Sequence, residues 1–132
     1  MDHQLLREAS QLEKYTSELE QHEAYLSQQI SELMQFMEQL DALKKNSEKS
    51  MLVSVGKRVY LKTEVTDKKF FVDVGAGVVV RKTPEELEAV IAGQLKKLRE
   101  SQAALAQQLA FYGEKLHDLM HMLEQQHVAA QS

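Results

Sequence analysis

Apolar residues recur along the first part of the chain with a period of seven. Leu5, Leu12, Leu19, Leu26, Leu33 and Leu40 fall one heptad apart. With these leucines at d, the a positions are Ala9, Thr16, Glu23, Ile30, Met37 and Lys44. Such a 3.5-residue period predicts a helix with a left-handed coiled-coil seam. The seam is solidly apolar from Leu26 to Leu43, while Thr16 and Glu23 dilute it nearer the N-terminus. A second heptad run follows Thr83-Pro84-Glu85-Glu86, with Ile91, Leu98, Leu105, Tyr112 and Leu119 at d. Leu95, Gln102, Leu109, Leu116 and Leu123 take the a positions, and only Gln102 interrupts the stripe. Thr83 suits an N-cap, Pro84 the first helical position, and Glu86 the far side of a capping box. Gly93 and Gly113 each cost this helix about 1 kcal/mol relative to Ala, which marks Phe111-Tyr112-Gly113 as a soft point.

Both helices run to about 44 residues, or about 66 Å. Two amphipathic helices of equal length, joined through a short middle, bury their stripes by folding back on each other. The pattern predicts an antiparallel coiled-coil hairpin with both chain termini at its free tip.

The middle changes period. Val53 and Val55 alternate, as do Val59 and Leu61, with Thr63, Val65 and Thr66 beyond; this composition and spacing mark short strands. Phe70-Phe71-Val72 and Val78-Val79-Val80 are continuous, which predicts cover on both faces. Val74 completes the third strand, and turn signals fall at Gly56-Lys57, Asp67-Lys68-Lys69 and Gly75-Ala76-Gly77. Four strands in two hairpins result. About 30 residues of this kind cannot enclose a core of their own, so other subunits are expected to complete the sheet. The fold class is α+β: a long antiparallel coiled-coil hairpin with a small two-hairpin β linker. The organisation expected is an N-terminal coiled-coil helix over 1–50, a β-hairpin oligomerisation segment over 51–82 and a C-terminal coiled-coil helix over 83–132.

Composition agrees with this plan. Aromatic residues make up 6% of the 132 positions, and there is one Pro, no Cys and no Trp. That is thin filling for a central core, but sufficient for leucine seams. The absence of Cys removes thiol catalysis, disulfides and Cys-based metal sites. No apolar run reaches the roughly 20 residues that span a bilayer, and Met1-Asp2-His3-Gln4 lacks the basic start of a leader. A soluble cytoplasmic protein is expected. The net charge of −4 is unevenly spread: residues 1–50 carry −5, residues 51–82 carry +4 and residues 83–132 carry −3. Acidic arms thus flank a basic middle.

Several tempting motifs dissolve on inspection. A DNA-binding zipper needs a basic region ahead of its leucines, and only Arg7 and Lys14 precede Lys44. Gly75-Ala76-Gly77 lacks the third glycine and the following helix of a dinucleotide fingerprint. His117 and His121 have a chelating i, i+4 spacing but fall at b and f on the outer face, and His3, His22 and His127 are scattered toward the tip. No nucleophilic triad or carboxylate pair can be traced. The expectation is therefore no enzyme, no cofactor, no metal site, and neither nucleic acid nor membrane as a partner.

The order helix, two β-hairpins, helix resembles the prefoldin family, in particular its alpha class. The residues that carry the match are Leu52-Val53-Ser54-Val55-Gly56, Val59-Tyr60-Leu61-Lys62 and Val72-Asp73-Val74-Gly75-Ala76-Gly77-Val78-Val79-Val80, followed by Lys82-Thr83-Pro84-Glu85-Glu86. Beta-class subunits of that family have a single hairpin, whereas this linker has two. The resemblance implies a hexamer of two alpha and four beta subunits, built on a β-barrel hub with six coiled-coil arms. Such an assembly holds non-native proteins at the arm tips without ATP and passes them to a group II chaperonin. One departure is the basic Lys57-Arg58 turn, where the family often has a Gly-rich one.

Two sets of candidate residues follow. Oligomerisation falls to Val53, Val55, Val59, Leu61, Phe70, Phe71, Val72, Val74, Val78, Val79 and Val80. Client binding falls to the tip. Leu6, Tyr15, Met120 and Met122 flank the seam at e and g there, beside Leu5, Leu12, Leu116, Leu119 and Leu123. These residues either widen the seam or form an adaptable groove, a task to which Met is suited. The same e/g pattern at Met34 and Phe36 fits packing on a neighbouring subunit. A structural scaffold or filament that assembles through the same β segment is the alternative to a chaperone.

Overall fold

The computed structural model describes residues 3–46 and 49–131, with side chains through residue 129. Met1 and Asp2, invoked above against a leader, lie outside the described residues. The element order is α1 (His3–Lys45), β1 (Ser50–Gly56), β2 (Val59–Glu64), β3 (Phe70–Gly75), β4 (Val78–Lys82) and α2 (Pro84–Gln131). The helix, two-hairpin, helix order is the one that the two periods predict. Helix α2 continues through Gly93 and Gly113; the expected soft point leaves no break.

The chain packs as two units, one of residues 1–31 with 96–132 and one of residues 32–95. In the first, both helices turn their a and d residues inward. Leu19, Leu26 and Leu105 form its core, with Leu98, Leu109 and Tyr112 packed against them. Tyr15 meets Tyr112 while Ser27 meets Gln102. Numbering thus rises along one helix as it falls along the other, so the pair is antiparallel. Two polar a positions, which separately looked like flaws in their stripes, complete each other here. The Gln102 side-chain amide donates to Glu23 Oε1 at 3.2 Å and to Ser27 Oγ at 2.9 Å. Ser27 Oγ in turn donates to Glu23 Oε1 at 2.9 Å. A polar layer of this kind fixes register, because any slip strands a half-buried carboxylate. Thr16 Oγ1 is buried without a hydrogen-bond partner, at a cost of about 1–3 kcal/mol.

The second unit buries Leu40, Leu87, Ile91 and Leu95, and Leu40 is 1% exposed. Lys44, the last a position of α1, lies 3.4 Å from Glu85 Oε1 and 3.6 Å from Glu88 Oε2. The Thr83 hydroxyl accepts from the Glu86 amide at 3.2 Å and donates to Glu86 Oε1 at 3.1 Å. The box therefore closes through the hydroxyl, and Pro84 follows as the first helical residue. At the other helix end, Lys68 Nζ donates to the carbonyls of Lys44 and Asn46, both at 2.9 Å. The inter-hairpin turn thereby supplies a cation to the C-terminus of α1, where the helix dipole favours one.

β1 pairs with β2 and β3 with β4, both antiparallel, in two separate two-stranded sheets. The two hairpins repeat one pattern: Val53-Ser54-Val55-Gly56-Lys57-Arg58-Val59 and Val72-Asp73-Val74-Gly75-Ala76-Gly77-Val78 share the form V-x-V-G-x-x-V. Each register shifts just before its turn, at Ser54/Gly56 and at Asp73/Gly75. Gly56 and Gly75 have φ of 104° and 103°, and the turn residues after them also have positive φ. Positive φ at both central residues is the requirement of a type I′ turn. In the second hairpin Gly77 meets part of that requirement without strain. In the first, Lys57 (φ 48°) and Arg58 (φ 62°) both adopt it with side chains, at a cost of about 1 kcal/mol or more apiece.

Three variants test these contributions to stability. Gln102→Leu strips the Glu23 carboxylate of its amide donor and is expected to destabilise the fold by about 1–3 kcal/mol. The double change Glu23→Leu/Gln102→Leu removes both polar groups and is expected to raise the melting temperature above wild type while loosening register. Chemical denaturation checks the pair, with the double variant more stable than the single. Arg58→Gly relieves the left-handed strain and is expected to stabilise by about 1 kcal/mol. An unchanged or lower denaturation midpoint would show that the turn is not strained.

Candidate functional site

Two surfaces qualify as sites, one in each unit. In the second unit the hairpins expose apolar side chains to an unusual degree. Cross-strand pairing sets Val53 against Leu61 and Val72 against Val80 on one face of each hairpin. The opposite faces carry Ser54 with Tyr60, Leu52 with Lys62 and Phe71 with Arg81. Val53, Val55, Val59, Leu61, Val74, Val78, Val79 and Val80 are all exposed, and Phe71 is 71% exposed. Only Phe70 and Val72 of the residues expected to assemble the hub are half-buried. Cover on both faces was expected for the continuous runs. Within this chain, however, Phe70-Phe71-Val72 alternates and Val78-Val79-Val80 is open on both sides, because a two-stranded sheet has no second layer to place there. With only two strands per sheet, every strand is also an edge, and an unpaired edge is a template for another strand. The exposed Met34 and Phe36 on α1 belong to this same unit.

In the first unit, the seam opens into a groove of about 560 Å³ lined by Glu8, Gln11, Leu12, Tyr15, Tyr112, Lys115, Asp118 and Leu119. Its cause lies in the sequence. Tyr112 occupies a d position, where its ring is too long to be enclosed as a leucine is, and Tyr15 at the neighbouring g position closes on it. Their ring centroids are 4.8 Å apart at 85°, an edge-to-face contact. Phe111 adds a second such contact at 5.2 Å and 80°, and Lys115 Nζ sits 4.6 Å over the Phe111 ring. The aromatic wall is thus part of a cluster of three rings in edge-to-face contact around Tyr112.

The expected tip residues divide. Leu12, Tyr15 and Leu119 line the groove. Leu5, Leu116 and Leu123 are half-buried along the seam, and Leu6, Met120 and Met122 are exposed beside it. The reading by heptad position missed Tyr112 as a wall of the groove, because a d residue is assigned to the seam. It also passed over Glu8 and Asp118, which are ordinary surface carboxylates until the groove brings them to one place. A bulky Tyr at d, facing another Tyr at g, was the available signal. His121 Nε2 lies 3.2 Å from the Gln125 side-chain nitrogen. Among the described residues, no group of three His, Asp or Glu side chains is placed to hold a metal ion. No helix among the described residues is long and apolar enough to cross a membrane.

Electrostatics mark the junction of helices in the second unit. The charge of Glu88, then the hydrogen bond that Lys44 donates to Glu85, raises the Lys44 pKa above its usual 10.5. Glu85 is lowered from 4.5 by its own backbone amide at the helix N-terminus first, and then by Lys44.

Comparison with known proteins is consistent across sequence and structure. The family described as "Prefoldin subunit" matches residues 12–129. No curated protein matches the chain. Among solved structures, the filamentous PFD from Methanocaldococcus jannaschii, determined by cryo-electron microscopy, is similar at a TM-score of 0.72 with 26% identity. The match covers 92% of this chain and 99% of that one.

The Lys44 cluster has a signed pH dependence. A lysine whose pKa rises on folding contributes fully below 10.5 and loses its contribution as pH climbs through the raised value. A lowered glutamate contributes above 4.5 and loses its contribution as pH falls through the lowered value. The melting-temperature difference between wild type and Lys44→Met should therefore favour wild type most between these limits. It should shift toward the variant at both extremes, as read by thermal melts from about pH 3 to pH 11. A pH-independent difference would remove the ion cluster as its cause.

Proposed function

The chain belongs to the prefoldin family, and on that premise we propose that it is an alpha-class subunit of an ATP-independent chaperone. In this reading the chain is not an enzyme. It works in the cytoplasm by holding non-native proteins against aggregation and delivering them to a group II chaperonin. The hairpins join those of beta-class partners in a β-barrel hub, two alpha to four beta. What supports the hub is the exposure of most apolar side chains of the hairpins and the unpaired edges of their two-stranded sheets, an arrangement that other chains would stabilise by covering it. The alpha class rests on the second hairpin.

The single observation that carries client binding is the open, aromatic-walled groove in the unit that holds both chain ends. Leu6, Met120 and Met122 extend its apolar surface, and their flexible side chains suit irregular partners. Each arm binds weakly, and several arms on one client multiply the affinity through effective concentration. The acidic arms would also steer toward a basic surface on a receiving chaperonin.

A second reading has a specific observation in its favour. The similar Methanocaldococcus jannaschii protein is filamentous, and an uncovered hairpin that pairs head to tail gives open growth rather than a closed ring. The chain would then be a structural scaffold.

One experiment addresses both readings. Removing residues 1–19 and 113–132 together is expected to leave assembly intact and to abolish suppression of client aggregation. Light scattering on the full and shortened chains, with and without a beta-class partner, gives the mass, and an aggregation assay gives the activity. A closed hexamer with the partner supports the chaperone, while polydisperse growth by the chain alone supports the scaffold. Unchanged suppression by the shortened assembly would end the tip model.

A further inference from the structure

The groove has a chemical bias that an apolar tip alone would not have. Its floor and wall are Leu12, Leu119, Tyr15 and Tyr112, and its polar rim is Glu8, Asp118 and Lys115. The one cation of that rim, Lys115, has its Nζ over the Phe111 ring at 4.6 Å, a contact that leaves its charge in place, so the two carboxylates outnumber it. Glu8 and Asp118 are both exposed and make no ion pair among the described residues. The surrounding unit, residues 1–31 and 96–132, carries ten acidic and six basic residues. An apolar cleft is thus rimmed by two available carboxylates inside a negative field.

We infer that this groove selects non-native segments in which a large apolar side chain is flanked by Arg or Lys. The apolar side chain stacks on the tyrosine wall and the leucine floor. The flanking cation reaches Glu8 or Asp118, and Arg gains further from the ring of Tyr15, which is 40% exposed. Segments flanked by Asp or Glu meet the same carboxylates as repulsion. The inference rests on the reading of this end as the client-binding end and names the chemistry that the end prefers.

The test uses the assembled full-length protein and three labelled unstructured peptides. They share the same Leu and Phe positions and carry Arg, Gln or Glu at the flanking positions. By fluorescence anisotropy at low salt, the Arg peptide is expected to bind about five- to tenfold more tightly than the Glu peptide, with the gap closing in high salt. Glu8→Gln/Asp118→Asn should bring that ratio close to one, and a ratio that stays as in wild type would overturn the inference. The control Glu13→Gln/Glu114→Gln removes two exposed carboxylates that do not line the groove and should leave the ratio intact. A ratio near one in wild type overturns the inference, as does an equal loss of selectivity in the control, which would assign it to the general field of the arms. The shortened chain lacking residues 1–19 and 113–132 separates the two claims. If it loses the Gln peptide while wild type shows no charge preference, the tip reading stands and the selectivity fails. If it binds all three peptides as wild type does, the tip reading itself fails.

Discussion

Burial of one leucine stripe against another is the interaction on which the rest of this structure depends. Neither helix has a second apolar face, and the chain has too few aromatic residues to fill a central core. The stripes must therefore cover each other. Each a or d residue turned inward removes apolar surface from water, and the antiparallel sense follows from the short connection between helices. A seam of this kind is narrow. It takes up most leucines of the two helices and leaves the four strands with no core to join, Leu52 and Leu61 among their exposed residues.

That shortage is what makes the hairpins cohesive. Val53 with Leu61 and Val72 with Val80 form apolar faces that an isolated two-stranded sheet cannot shield. The repeated V-x-V-G-x-x-V pattern gives both hairpins the same shifted register and the same left-handed turn. Lys57 and Arg58 tolerate a backbone conformation usually left to Gly or Asn, which keeps a positive charge at the exposed end of the first hairpin. The capping of α1 by Lys68 and of α2 by Thr83 ties the ends of both helices to this segment. Local hydrogen bonds thus hold the segment in place, while its apolar faces remain available to other chains.

The imperfections of the seam carry as much information as its leucines. Glu23 and Gln102 would each weaken a coiled coil alone, yet together with Ser27 they form one connected polar layer. Tyr112 is an oversized d residue, and the consequence is a groove rather than a closed seam. Substituting leucine at such positions would favour a tighter and less specific pair of helices. Register and access to the groove have been kept at some cost in burial.

The heptads, the Thr83-Pro84-Glu85-Glu86 start and the valine-rich runs determined the helices, the four strands and their order. These signals are local, and each depends on residues within a turn or two of one another. The fully buried residues of the helices fall at the expected a and d positions, apart from Leu87 at g, and the other apolar seam residues are half-buried, because a 3.5-residue period leaves a helix only one face to bury. The partnership of Glu23 with Gln102 was decided only by the tertiary structure, since those residues stand 79 positions apart and their meeting depends on the offset of the two helices. The same holds for the groove. Glu8, Tyr15, Tyr112 and Asp118 acquire a common purpose only when antiparallel packing sets them side by side, and no periodicity within either helix encodes that distance.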